Sequence, residues 1–200
     1  MDSTVMNTKT VAFVNLKGGV GKTTSAIGTA EALCRLGMTV TVRDIDPSAG
    51  ATLWAVNAQK AGRPLPFQVE CVNRYSVAAP ARSEWVLIDT PPLQDDLVEP
   101  AVEAADLVLL VSTPGPIDLE RMLYTFEHIN RPSSALLTQT RYGTRSLKHA
   151  QEFLASHGIA CCQNTIPYRE AMRLASAEGR IPSASGYGLL AAELRSAFNA

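Results

Sequence analysis

Eight consecutive residues, Lys17-Gly18-Gly19-Val20-Gly21-Lys22-Thr23-Thr24, constrain this chain more than any other stretch. They follow a short β-branched and apolar run, Thr10 to Asn15. They precede a segment, Lys22 to Leu36, whose Ile27, Ala30, Leu33 and Cys34 recur at helical spacing. The pattern is strand, glycine loop, helix. Such a loop points backbone N–H groups together at an anion, while the helix N-terminus adds its partial positive charge. A glycine turn beside a surface lysine is the plain alternative, and the flanking elements and the Gly-Lys-Thr ending weigh against it.

In the general phosphate-loop pattern, Lys22 reaches the β- and γ-phosphates of a nucleotide and the Thr23 hydroxyl ligates magnesium. The strict pattern also requires a glycine at the position of Leu16, so Lys17 and the Gly18-Gly19 pair fill this loop differently.

The rest of the chain continues the alternation. Gly37 closes the first helix, and Thr39 to Ile45 reads as a second strand rich in valine and threonine. Further strands are expected at Phe67 to Val72, Trp85 to Ile88, Leu107 to Val111 and Ala135 to Thr138. Helices are expected over Ala51 to Ala61, Leu97 to Ala105, Ile117 to Ile129, Arg145 to His157, Glu170 to Glu178 and Leu189 to Phe198. Continuous apolar strands such as Trp85 to Ile88 are the kind buried on both faces. Together these predict an α/β fold, a doubly wound, mostly parallel sheet flanked by helices. With 200 residues and no linker or repeat, one domain is expected over 1–200, with 1–9 as a flexible N-terminal extension.

Composition excludes several classes. The net charge of -1 lacks the global basic signature of a constitutive nucleic-acid binder, so any such contact must be local. Met1 to Lys9 is polar, and no stretch has the length and apolarity to span a bilayer, which makes the cytoplasm the default expectation. Cys34, Cys71, Cys161 and Cys162 show neither Cys-x-x-Cys nor zinc-finger spacing, so buried free thiols are expected.

Three aspartates accompany the loop. Asp44 and Asp46 end the second strand in Arg43-Asp44-Ile45-Asp46-Pro47-Ser48, at the carboxyl edge where side chains project toward a bound ligand. Asp89 ends the apolar run Trp85-Val86-Leu87-Ile88. Carboxylates beside a phosphate site suit magnesium and an attacking water. Turn formation before a proline is the competing role for Asp44 and Asp46, and strand termination for Asp89.

The modified loop resembles the deviant Walker A motif of the ParA and MinD superfamily of ATPases, closest to small partition proteins similar to ParF, along essentially the whole chain. The resemblance implies ATP and Mg2+ as cofactors, bound through Lys17, Gly18, Gly19, Val20, Gly21, Lys22, Thr23 and Thr24. It makes Lys17 reach across an ATP-dependent homodimer to the partner's phosphates, while Lys22 works within its own subunit. Asp46 inherits the role of positioning the hydrolytic water and Asp89 the Walker B role of holding magnesium directly or through water, while the place of Asp44 beside the phosphate site makes it a further magnesium residue through water. This chain has Ser48 where the family usually has glutamine and Arg43 where an apolar residue is common. Thr90-Pro91-Pro92 resembles the second switch, and Ser112 to Asp118 a proline-rich segment at the dimer interface.

Asn164-Thr165-Ile166-Pro167-Tyr168-Arg169 is similar to the family segment that lines the adenine, which makes Thr165 and Pro167 base-pocket residues. Arg169 and Arg173 are the nearest matches to the arginines with which the family binds nonspecific DNA, although Ser185-Gly186-Tyr187-Gly188 lacks an arginine often found there. The implied function is slow, partner-stimulated ATP hydrolysis that segregates plasmid or chromosomal DNA, with a centromere-binding ParB-like partner and a nucleoid-associated ATP state. A related ATPase that positions a protein cargo would carry the same motifs. A membrane-associated ATPase similar to MinD would need a basic amphipathic C-terminal helix. Leu189 to Ala200 has one arginine and one glutamate, so no stable membrane association is expected.

Overall fold

Six strands form one sheet in the computed structural model, which describes residues 7–92, 95–182 and 184–199. They are β1 (Lys9–Val14), β2 (Val40–Asp44), β3 (Gln68–Cys71), β4 (Trp85–Asp89), β5 (Leu107–Ser112) and β6 (Ser133–Leu137), in the order β3-β2-β4-β1-β5-β6. Every pairing is parallel. The helices are α1 (Lys22–Arg35), α2 (Gly50–Lys60), α3 (Asp95–Ala104), α4 (Pro116–Glu127), α5 (Arg145–Ser156), α6 (Ala175–Glu178) and α7 (Tyr187–Ala197).

Strand alternation divides the core in two. Val11 and Phe13 of β1, with Val42, Leu87, Leu109 and Leu136, face Ile27, Leu33, Trp54, Tyr187 and Leu190 from α1, α2 and α7. Ala12 and Val14, with Val86, Ile88, Leu110 and Leu137, face Val98, Leu119, Met122, Leu147 and Leu154 from α3, α4 and α5. Each such large side chain, once fully buried, contributes about 1.5–3 kcal/mol. Because both faces are covered, the central strands read as unbroken apolar runs.

Tight helix packing accounts for Gly28. A Cβ there would lie 2.2 Å from the ring of Tyr187, so α1 and α7 approach as closely as they do only with glycine at that position. The Tyr187 and Ser25 hydroxyls hydrogen-bond at 3.1 Å across the same contact.

Two expected boundaries are corrected. The segment Glu170 to Glu178 is not one helix: Glu170–Arg173 is a 3-10 turn, and α6 starts after Leu174, whose φ of -98° and ψ of -6° interrupt the helical ladder. Tertiary packing overrides the helical pattern here, because α6 is docked on α2 and Gly179 lies directly against Ala58. At the other end, Thr8 and Lys9 do not belong to the flexible extension expected over 1–9. Residues 1–6 lie outside the described residues, whereas the Thr8 hydroxyl bonds Ser83 O at 2.9 Å and Lys9 already belongs to β1. Among the described residues no helix is long and apolar enough to cross a membrane.

Candidate nucleotide site

The carboxyl ends of β1, β2, β4, β5 and β6 converge on the glycine loop, the place where ligands bind in open parallel sheets. Gly19 and Gly21 have φ of 79° and 98°, in the left-handed region that glycine enters without penalty, and this alternation turns successive N–H groups inward. The loop and the end of β1 that leads into it are held from three directions. Asn15 donates to Val111 O at 2.7 Å and accepts from the Lys17 amide at 2.8 Å. From β6, the Thr138 hydroxyl donates to Val20 O at 2.6 Å, and just beyond it Gln139 Nε2 donates to Gly19 O at 3.0 Å. Thr90, after β4, donates to Phe13 O at 2.8 Å.

Lys22 is buried, with its ammonium on Lys17 O at 3.0 Å. Burial lowers its pKa, and the charges of Asp89 and Asp46 oppose that shift. Lys22, Asp46 and Asp89 therefore lie close enough to act on one another electrostatically. Lys17 turns the other way and places its ammonium on Asp118 Oδ1. Asp118 stands in the first turn of α4, and its other oxygen accepts from the Thr113 hydroxyl.

Asp89 is wholly buried, and neither carboxylate oxygen has a hydrogen-bond partner among the described residues. Its pKa is raised to about 7, first by desolvation and then by Asp44 and Asp46. Thr23 offsets this in part, from close by but outside normal hydrogen-bond geometry. An orphaned hard-oxygen carboxylate beside a threonine hydroxyl and an anion loop is a donor set that fits Mg2+. Asp44 is differently placed. Its Oδ2 accepts from the Thr52 amide at 2.8 Å and the Thr52 hydroxyl at 2.7 Å, and its Oδ1 from the Asp46 amide at 3.3 Å. The carboxylate expected to serve magnesium through water is thus engaged in tying α2 to β2.

Asp46 is partly exposed and caps its own turn, accepting from the Ser48 amide at 2.8 Å. The following Ala49 has φ of 54°, a left-handed conformation that costs a residue with a Cβ about 1 kcal/mol. Stored strain of this kind suits a segment that changes conformation.

On the far side of the loop, Gly19, Gly21, Thr24, Thr138, Gln139, Pro167, Tyr168, Arg169, Met172 and Arg173 line a cavity of about 190 Å³. Pro167, expected at the base pocket, lies on the wall of this cavity. Thr165 is not on the cavity wall, because its buried hydroxyl pairs with Thr140 Oγ1 at 2.9 Å. Arg169 and Arg173, expected on a DNA surface, lie at this cavity, and the Arg141 guanidinium sits 4.9 Å over the Tyr168 ring.

The comparisons with known proteins agree with this geometry. Residues 11–182 match the CobQ/CobB/MinD/ParA nucleotide binding domain. The chain belongs to this family. Over 186 residues this family member is 34% identical to the maintenance of carboxysome distribution protein A of Gloeobacter kilaueensis, spanning 86% of this chain and 82% of that protein. Among solved structures, the MinD cell division protein of Aquifex aeolicus superposes with a TM-score of 0.78 at 15% identity, covering 94% of this chain and 97% of that one. A putative plasmid partition protein of Borrelia burgdorferi, bound to AMPPNP, gives 0.73 at 18% identity over 96% and 98% of the two chains. The two structural likenesses show the fold, and the ParA/MinD expectation for fold and family holds.

The sequence assigned no role to Thr138 or Gln139, and it named Asp118 only as the end of the proline-rich segment from Ser112. Asp118 carried one usable signal, an acidic residue just after Pro116 at a helix start. Thr138 and Gln139 carried none, since their function arises only from the pairing of β6 beside β5.

Proposed function

We propose that this chain is an ATPase of the ParA type, pairing on ATP, binding nonspecific DNA and releasing it after partner-stimulated hydrolysis, so as to segregate plasmid or chromosomal DNA. The observation that carries the reading is the orphaned Asp89 carboxylate beside Thr23 and Lys22 at the mouth of the glycine loop. The loop amides and Lys22 bind the phosphates, Thr23 and Asp89 hold magnesium, and Asp46 orients the attacking water. Magnesium, when bound, neutralises charge that develops on the transferring phosphoryl group. Lys17 leaves Asp118 to reach the partner subunit's phosphates. Release of the γ-phosphate is sensed at Asp46 and passed through Asp44 and Thr52 to α2.

Arg169 and Arg173, doubled in a dimer, supply the electrostatic contact with DNA. The stimulating partner is a centromere-binding protein similar to ParB, and the working place is the nucleoid in the cytoplasm. Similarity to a carboxysome distribution protein over most of its length favours a second reading, in which the cargo is a protein assembly.

Binding to nonspecific double-stranded DNA across a salt series, with ATP, ADP or no nucleotide, tests the proposal. Tight, salt-sensitive binding with ATP alone is expected. Absence of binding by confirmed ATP dimers would remove DNA as the track.

A further inference from the structure

The C-terminal helix α7 touches both walls of the cavity beside the phosphate loop. At its start, Tyr187 bonds Ser25 of α1, and Gly186 lies so close to Pro167 that a Cβ would come within 2.9 Å of the proline ring. Two turns later, Glu193 Oε1 accepts from the Gln163 amide at 2.7 Å. Its Oε2 accepts from the Asn164 amide at 3.1 Å and from Asn164 Nδ2 at 2.8 Å.

These three bonds fill a gap in the backbone pairing. The β6 strand and its extension bond Cys162 N through Ala135 O, Ile166 N through Leu137 O and Tyr168 N through Thr140 O. Between Cys162 and Ile166, the amides of Gln163 and Asn164 turn away from the sheet, and the Glu193 carboxylate takes both. The segment immediately following, Ile166 to Arg169, lines the cavity opposite Gly19, Gly21 and Thr24. Hydrogen bonds from main-chain amides to a carboxylate are about twice as strong as neutral ones, and they fix geometry as well as add energy.

We infer that Glu193 is a positioning residue for nucleotide recognition: it sets the base-binding segment at a fixed distance from the phosphate loop. Glu193 itself does not line the cavity. The inference rests on reading this cavity as the base end of the ATP site. α7 thereby joins the phosphate half of the site, through Tyr187 and Ser25, to the base half, through Glu193 and Asn164.

Glu193→Gln tests this in the full chain. The side chain keeps its size, but one acceptor oxygen becomes an NH2 group facing amide donors. Two ligands are compared: ATP, and inorganic tripolyphosphate as a competitor that has phosphates and no base. ATP affinity is expected to fall about tenfold while the inhibition constant of tripolyphosphate stays unchanged. The KM for ATP rises correspondingly, with kcat at saturating ATP retained. Asn164→Ala, which removes only the side-chain bond, gives the same pattern to a smaller degree and leaves the carboxylate in place. Equal loss of both ligands in the two variants, or no loss of either, overturns the inference. If wild-type protein binds ATP no better than tripolyphosphate, the base-site reading fails and this inference with it. If wild type discriminates and both variants discriminate equally well, only the role of Glu193 is refuted.

Discussion

Lys17, the first lysine of the phosphate loop, rests its ammonium on the buried carboxylate of Asp118 at the start of α4. The lysine expected to act on a partner subunit is held within its own chain. Its side chain is 45% exposed, so solvent screens the pair and its strength is about 1 kcal/mol or less. A contact this weak can be exchanged for a phosphate.

Replacing Asp118 by Asn should therefore shift pairing. The amide preserves shape and the Thr113 contact while removing the charge that retains Lys17. The ATP concentration at which dimers form should fall by up to about fivefold, the factor corresponding to 1 kcal/mol. Sedimentation velocity across an ATP titration reads this directly. A midpoint that is unchanged or raised would mean that Asp118 does not compete for Lys17.

Asp89 predicts a pH dependence of the nucleotide-free protein. Its folded pKa, about 7, lies above the ordinary 3.8, so the fold prefers the protonated carboxyl. The associated stability is fully present below about pH 4 and is lost as pH rises through 7. In chelator-containing buffer, Asp89→Asn should melt at a higher temperature than wild type at pH 8, with the difference shrinking toward pH 4. Equal melting temperatures at pH 8 would show that the buried carboxylate carries no such cost. The same variant should lose magnesium-dependent ATP binding.

The α1 to α7 contact predicts intolerance at Gly28. Alanine there must displace the Tyr187 ring, and overpacking of this kind costs about 1–3 kcal/mol. Tyr187→Phe removes only the hydroxyl bond to Ser25, at about 1 kcal/mol. Urea denaturation should rank Gly28→Ala as the more destabilising of the two. The reverse order would place the energy of the contact in the hydroxyl pair rather than in the packing.

What could be read in the sequence was local. The loop from Lys17 to Thr24 and the aspartates Asp46 and Asp89 announce themselves because their chemistry depends on neighbours a few residues away. The apolar runs ending at Asp89 and Ser112 likewise declare buried parallel strands. Long-range pairings were silent. Nothing adjacent to Thr138 or Gln139 shows that they would brace Val20 and Gly19, nor does the α7 sequence show that Glu193 would take amides from the 163–164 turn. Asp44 was legible as a site residue, but its commitment to Thr52 depends on how α2 docks, and docking also breaks the Glu170 to Glu178 segment. The pattern places residues near a site, and packing then decides which atoms remain free.

In the function proposed above, the converging loop, Lys22, Asp46 and Asp89 form an ATP-hydrolysing switch. Single-turnover phosphate release by wild type and Asp46→Ala, with dimer mass followed in parallel by sedimentation, tests it most directly. Wild type should release phosphate, whereas Asp46→Ala should bind ATP and persist as a dimer without releasing it. Phosphate release by Asp46→Ala at the wild-type rate would contradict the water-positioning role of Asp46.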